Sequence, residues 1–302
     1  MKQSTTTPPA LTVVDAPNPP ARGADPPARV RRPRDILVKL AAGWLILIVL
    51  LALFASVLPI PAYDLRIDKP ALGPSLDLPR LLGTDALGRS TLSRLVYGAR
   101  VSLAVGFVSV LIGMVVGGTL GLLAGYLRGV FEKIANILTD SLLAYPPLVL
   151  LLALTSTMGS SLRSLVISLG LLAVPTFTRL ARANTMAFAQ REFVTASRAL
   201  GGRRLRIVFR EILPNVVFPV ASYAFVMAAV LIVAEGSLSF LGLGIPPPSP
   251  SWGGMIAAAK DRLATQPQLV FIPAAAMFLT IFALNVVGDR ARRRFDVRES
   301  AL

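Results

Sequence analysis

Residues 195–215 read TASRALGGRRLRIVFREILPN and lie between two long apolar runs. A glycine pair, five arginines and a closing proline interrupt an otherwise oily chain. The wider stretch 191–211 carries eight charged side chains: Arg191, Glu192, Arg198, Arg203, Arg204, Arg206, Arg210 and Glu211. At roughly 2.5–3.5 kcal/mol per charge at the bilayer centre, burying them in hydrocarbon would cost on the order of 20 kcal/mol or more. The stretch therefore lies in water, between membrane spans.

It is still patterned. Phe193, Ala196, Ser197 and Leu200 recur at the spacing of one helical face, with Arg191, Thr195 and Arg198 opposite. The helix runs through Ala199 and is stopped by Gly201 and Gly202, either of which takes the left-handed conformation. A second short helix follows, with Leu205, Val208, Phe209 and Ile212 on one face and Arg203, Arg206 and Arg210 on another. Pro214 suits the first turn of the next span, where a missing N–H costs nothing. Two short amphipathic helices joined at glycine make a knob with one greasy and one basic side. Periodicity alone leaves two readings of it: an anchor lying on lipid headgroups, or a docking element for a cytoplasmic protein.

Of the 302 residues, 54% are hydrophobic and only 16% are charged. The mean hydropathy is +0.67. Such a chain belongs among integral membrane proteins. The net charge of +15 falls between apolar runs rather than on a soluble basic face, which argues against nucleic acid. Cysteine and histidine are both absent. There is thus no disulfide framework or thiolate site, and the commonest general base and metal ligand is missing.

Residues 1–35, rich in Pro, Ala and Thr, read as a disordered cytoplasmic tail. The apolar run after them is too long for the core of a signal peptide and reads as a retained first span. Six segments have the length and apolarity of spans: about 37–60, 100–125, 132–157, 163–186, 212–236 and 267–289. Together they make an all-α transmembrane domain over 36–290, followed by a cytoplasmic tail over 291–302. Arg179 and Arg182, near the end of the fourth span, read as snorkelling to water. With both termini cytoplasmic, 22 of the 31 Lys and Arg residues fall on the inner side, which fixes the expected orientation.

The hairpin resembles the cytoplasmic loop of bacterial ABC-importer permeases, in which Glu-Ala-Ala is followed after three residues by Gly and later by Ile/Leu-x-Pro. Here Thr195, Ala196 and Ser197 precede Gly201, and Ile212, Leu213 and Pro214 close the motif. Thr195 stands where the family has its acid and Ser197 where it has its second alanine. LGTDALGRSTLSRLVYGARVSLAVG (82–106), AEGSLSFLGLGIPPPSPSWGGMI (234–256) and ALNVVGDRARRRFD (283–296) resemble the dipeptide/oligopeptide branch of these permeases. The last is more basic than that branch usually is. The resemblance spans about 80–296 and implies a type I importer permease fold. It also implies a multi-pass protein of the bacterial inner membrane, with the short helices of 191–211 seated in a cleft of an ATPase. The implied partners are a homologous permease in a heterodimer, two cytoplasmic ATPase subunits, an extracytoplasmic substrate-binding protein and the bilayer. ATP and Mg would sit on the ATPases, with no cofactor on this chain. Relatives in the branch carry dipeptides, oligopeptides, nickel and other small solutes.

Other features carry paired readings. Gly113, Gly117, Gly121 and Gly125 form a small-residue strip, for packing within the chain or for a sliding subunit interface. Pro146, Pro147, Pro175, Pro219 and Pro273 favour kinks, static or mobile. Asp140 and Glu235, acids within apolar runs, read as helix-pairing or capped groups or as a proton relay; Glu235 is placed near the outer surface. The outer loop with Leu241, Gly242, Gly244 and Trp252 holds either an interfacial aromatic anchor or, by the resemblance, a contact for the binding protein. No G-x-x-x-x-G-K-[ST] loop occurs, and GRST at 88–91 lacks the lysine, so the chain is not its own ATPase. A self-sufficient secondary carrier would need ion-coupling groups or broken helices in matching halves, and an intramembrane enzyme would need a convincing acid pair.

Overall fold

The computed structural model describes residues 33–299. The tail expected over 1–35 lies outside them, except that Pro33 already opens the first helix, α1 (Pro33–Leu53). This helix stops seven residues short of the expected end of the span. Helix α2 (Thr91–Leu127) starts at Ser90, whose hydroxyl accepts the Ser93 N–H at 3.2 Å. At about 1.5 Å per residue it is roughly 56 Å long, more than a bilayer's hydrocarbon core, so its first turns extend past the expected span.

The third span is broken. Helices α3 (Gly129–Leu143) and α4 (Pro147–Met158) meet at 88° instead of forming one rod over 132–157. Pro146 is extended, with ψ 130°, as a residue before proline must be, and Pro147 sits in the first turn of α4. Helices α5 (Leu162–Phe188), α8 (Leu213–Phe240) and α10 (Gln268–Glu299) continue through Pro175, Pro219 and Pro273. Between α5 and α8 lie the short α6 (Glu192–Ala199) and α7 (Arg204–Ile207); α9 (Trp252–Ala259) precedes α10. Among the described residues, five helices are long and apolar enough to cross a membrane, or six if the bent pair is one span.

The α2–α5 interface is the most extensive, and α8 packs on both helices. Glycine makes it so close. A Cβ at Gly113 would lie 2.5 Å from the Cβ of Ala173, and at Gly117, Gly121 and Gly125 it would lie 2.4, 2.3 and 2.8 Å from backbone oxygens of α5. The strip therefore serves packing within the chain. Helix α1 leans on α10 and α2, tied by the Trp44 indole N–H donating to Thr280 at 3.1 Å.

Residues 54–90 form an ordered cap on the end of the bundle opposite α6 and α7. Arg80 pairs with Asp68 at 2.7 Å and with Asp77, while Asp85 pairs with Arg89 at 2.7 Å and Arg94 at 3.4 Å. The Lys69 N–H, and then the Arg80 guanidinium, hold the Asp68 carboxyl below the usual range.

Gly117→Leu would drive a side chain into the Val174 carbonyl, and overpacking of this kind costs about 1–3 kcal/mol or more. Thermal unfolding in detergent is expected to show a clear loss of stability. Gly43→Ala, where nothing lies within 4 Å, is expected to be neutral or to add up to about 1 kcal/mol through helix propensity.

Candidate functional site

The hairpin is built by its turn. Helix α6 ends in a Schellman motif: the Gly201 N–H donates to the Arg198 carbonyl and the Gly202 N–H to that of Ser197, both at 3.0 Å. Gly201 has φ +79°, as this motif requires, and nothing lies within 4 Å of where its Cβ would be. Glycine is there for backbone conformation alone. Gly202 is needed for space, since its Cβ would come 2.7 Å from the Ser197 oxygen. After α7 comes a π turn, Val208–Ile212, closed by the Leu213 N–H on the Val208 carbonyl. Pro214 explains it: the ring cannot donate to Arg210 and crowds that carbonyl, so the turn widens. Asn215 donates its side-chain amide to the Glu211 carbonyl at 2.6 Å.

Val194, Ile207, Val208 and Ile212 are buried in the same apolar core as Leu122, Phe177 and Ala181. The expected face of Leu205, Val208, Phe209 and Ile212 is split, because Leu205 and Phe209 point out. On α6 the root is Val194, which the stripe of Phe193, Ala196, Ser197 and Leu200 omits. That stripe instead lines an open groove with Gly202, Arg206, Arg210 and Glu211. Leu200 is 88% exposed and Leu205 70%. Arg198 turns toward the bundle, its guanidinium 5.6 Å from the centroid of the Tyr126 ring. Thr195, Ala199 and Arg203 are exposed, with the Thr195 hydroxyl reaching only the Arg191 carbonyl at 3.4 Å. The knob thus has a buried root and a tip of four exposed large apolar side chains, Phe193, Leu200, Leu205 and Phe209, set among arginines.

Arg179 and Arg182 do not snorkel alone. Arg179 pairs with Asp140 at 2.7 Å and Arg182 with Glu132, bracing α5 against the first half of the broken span. Asp140 is thus a helix-pairing acid.

At the opposite end of the bundle, α8 closes with Gly242 at φ +83°, after Leu241 as its last half-turn. Glu235 lies near that end, as expected, and is fully buried in protein as a helix-pairing acid. It accepts hydrogen bonds from Ser239 and Ser251 at 2.8 Å each and from Ser102 at 3.4 Å. These hydroxyls come from α8, the cap of α9 and α2. Gly244 leaves Ser239 room, since a Cβ there would lie 2.3 Å from its hydroxyl. Trp252 is not an interfacial anchor: it is fully buried, its indole N–H on the Leu95 carbonyl and its backbone N–H on Ser102, both at 3.1 Å. Glu235 and its hydroxyls pin three helices, and Ser239, four residues on, was the signal visible in sequence. Glu235→Leu leaves those hydroxyls without their acceptor, at about 1–3 kcal/mol for each one left unsatisfied. It is expected to lower the melting temperature in detergent well below that of Glu235→Gln, which keeps an acceptor oxygen.

Comparison with known proteins agrees with this architecture. Residues 117–300 match the family described as binding-protein-dependent transport system inner membrane component. The glutathione transport system permease protein GsiD of Pectobacterium atrosepticum is 37% identical over 261 residues, 86% of each chain. That of Escherichia coli O1:K1 / APEC is 35% identical, over 87% of each. Among solved structures, an inward-facing form of the MetNI methionine ABC transporter matches with a TM-score of 0.55 at 19% identity, covering 67% of this chain and 96% of that one. The chain belongs to the family of binding-protein-dependent transport system inner membrane components, as a multi-pass permease subunit of an ABC importer.

Proposed function

We propose that residues 191–211 are the element through which ATPase subunits drive this permease. The carrying observation is the division of the hairpin into a root buried in the transmembrane core and an apolar, arginine-flanked tip open to a partner. A lipid anchor would need only the tip. A lever needs both, because a push on Leu200 or Phe209 moves the bundle only if Val194, Ile207 and Ile212 are fixed in it.

The remaining parts follow from that role. Both termini and the hairpin face the cytoplasm, where two ATPases bind ATP and Mg and supply the free energy; this chain catalyses nothing. A homologous permease completes the transmembrane pair, and an extracytoplasmic binding protein delivers the cargo to the opposite face. ATP closes the ATPases, their clefts draw the hairpins together, and the rigid helices open the path outward. The cargo class is dipeptides or oligopeptides, supported by the likeness to permeases named for a tripeptide. Nickel or another small solute in the same subunit role is the second reading, favoured by the breadth of the branch that the four motifs resemble.

Gly201→Val forces a β-branched residue into the left-handed region, whereas Gly201→Asn tolerates it. In the reconstituted importer, valine is expected to cut binding-protein-stimulated peptide uptake severely while ATP hydrolysis persists, and asparagine to retain most uptake. Equal uptake in both variants and the wild type would overturn the lever.

A further inference from the structure

Between the cap and α9, on the face opposite the hairpin, lies a pocket of about 340 Å³. This is within the usual range of about 300–1,000 Å³ for a small-ligand site. Its walls are apolar on one side, with Leu87, Ile245, Pro247, Met255 and Leu269, and charged on the other, with Asp85, Arg89 and Arg94.

The charges do not cancel. Two guanidinium groups share one carboxylate: Arg89 holds Asp85 at 2.7 Å, and Arg94 reaches it only at 3.4 Å. The other polar contacts of Arg94 are long, to the Tyr63 and Pro248 carbonyls at 3.3 Å each. The Arg94 side chain is 8% exposed, so this surplus positive charge is largely withdrawn from water. Thr91 also lines the pocket, and its buried hydroxyl has no hydrogen-bond partner. The Ser251 hydroxyl is already committed, to Glu235 and to the Gly254 N–H.

We propose that this pocket binds a small solute bearing one carboxylate on an apolar body. One anionic group balances the surplus cation, and a charge-assisted hydrogen bond in a water-poor site is about twice as strong as a neutral one. A second carboxylate would face Asp85. The aliphatic part packs on Leu87, Ile245 and Met255, and the Thr91 hydroxyl gains a partner as the solute enters. Ser251 lines the pocket and also holds Glu235, so occupancy bears directly on the pin joining α2, α8 and α9. The pocket lies within this one chain, and binding to it is read without any transport step, so it stands or falls apart from the lever.

The test is calorimetric titration of the full chain in lipid nanodiscs with N-acetyl-leucine and, as control, N-acetyl-leucinamide. The acid is expected to bind at least about tenfold more tightly than the neutral amide. Thr91→Val removes an unpartnered hydroxyl at constant shape; it is expected to weaken the acid about two- to tenfold without lowering the melting temperature. Ala258→Phe, at an exposed position on the pocket wall, is expected to abolish binding while the protein stays folded. No binding of the acid, equal binding of acid and amide, or unchanged binding in Ala258→Phe would each overturn the proposal. The first of these is what a pocket that accepts only a carboxylate carried by a docked protein would give.

Discussion

The structure depends on one constraint: the hairpin's apolar root must be buried in the core that holds the long helices together. Val194, Ile207, Val208 and Ile212 share that core with residues of α2 and α5. Without them, two short helices carrying Arg198, Arg204 and Arg206 would have nothing to hold them to the bundle. Helices of eight and four residues have little stability of their own, because nucleation is costly and short helices are marginal in water. Their order comes from the root and from the Schellman turn at Gly201.

What the root is fixed to must itself be stiff. The glycine strip of α2 lets its backbone lie against the carbonyls of α5, and two ion pairs brace α5 to α3. Exposed pairs such as Asp140–Arg179 contribute little alone, so close backbone packing carries most of the rigidity. At the far end the Glu235 cluster gathers α2, α8 and α9 around one carboxylate. On the proposed reading, a displacement entering at the hairpin is passed along α2 and α8, which share the core at the hairpin end and the Glu235 cluster at the other.

Much of this was legible in the chain. The glycine pair and Pro214 gave the hairpin and its turn, because each has a backbone consequence that does not depend on distant contacts. The small-residue strip was equally plain, although spacing alone could not say which helix it met. The apolar face of Leu205, Val208, Phe209 and Ile212 is legible, but its division into buried Val208 and Ile212 and exposed Leu205 and Phe209 depends on what packs against it. The break in the third span was visible as Pro146–Pro147, but its 88° angle depends on packing around it. The sequence shows neither the burial of Trp252 nor the third partner of Glu235, because Leu95 and Ser102 lie more than a hundred residues away from them. Long-range pairing of that kind leaves no local pattern.

The chain has no cysteine, so a thiol introduced at Leu200, the most exposed of the tip side chains, would be the one reactive sulfur. The most direct test is labelling of Leu200→Cys with a membrane-impermeant maleimide, applied from each side, before and after assembly with the ATPase subunits. The account predicts labelling from the cytoplasmic side that is lost when the ATPases bind. Labelling from the opposite side, or undiminished labelling in the assembled importer, would contradict it.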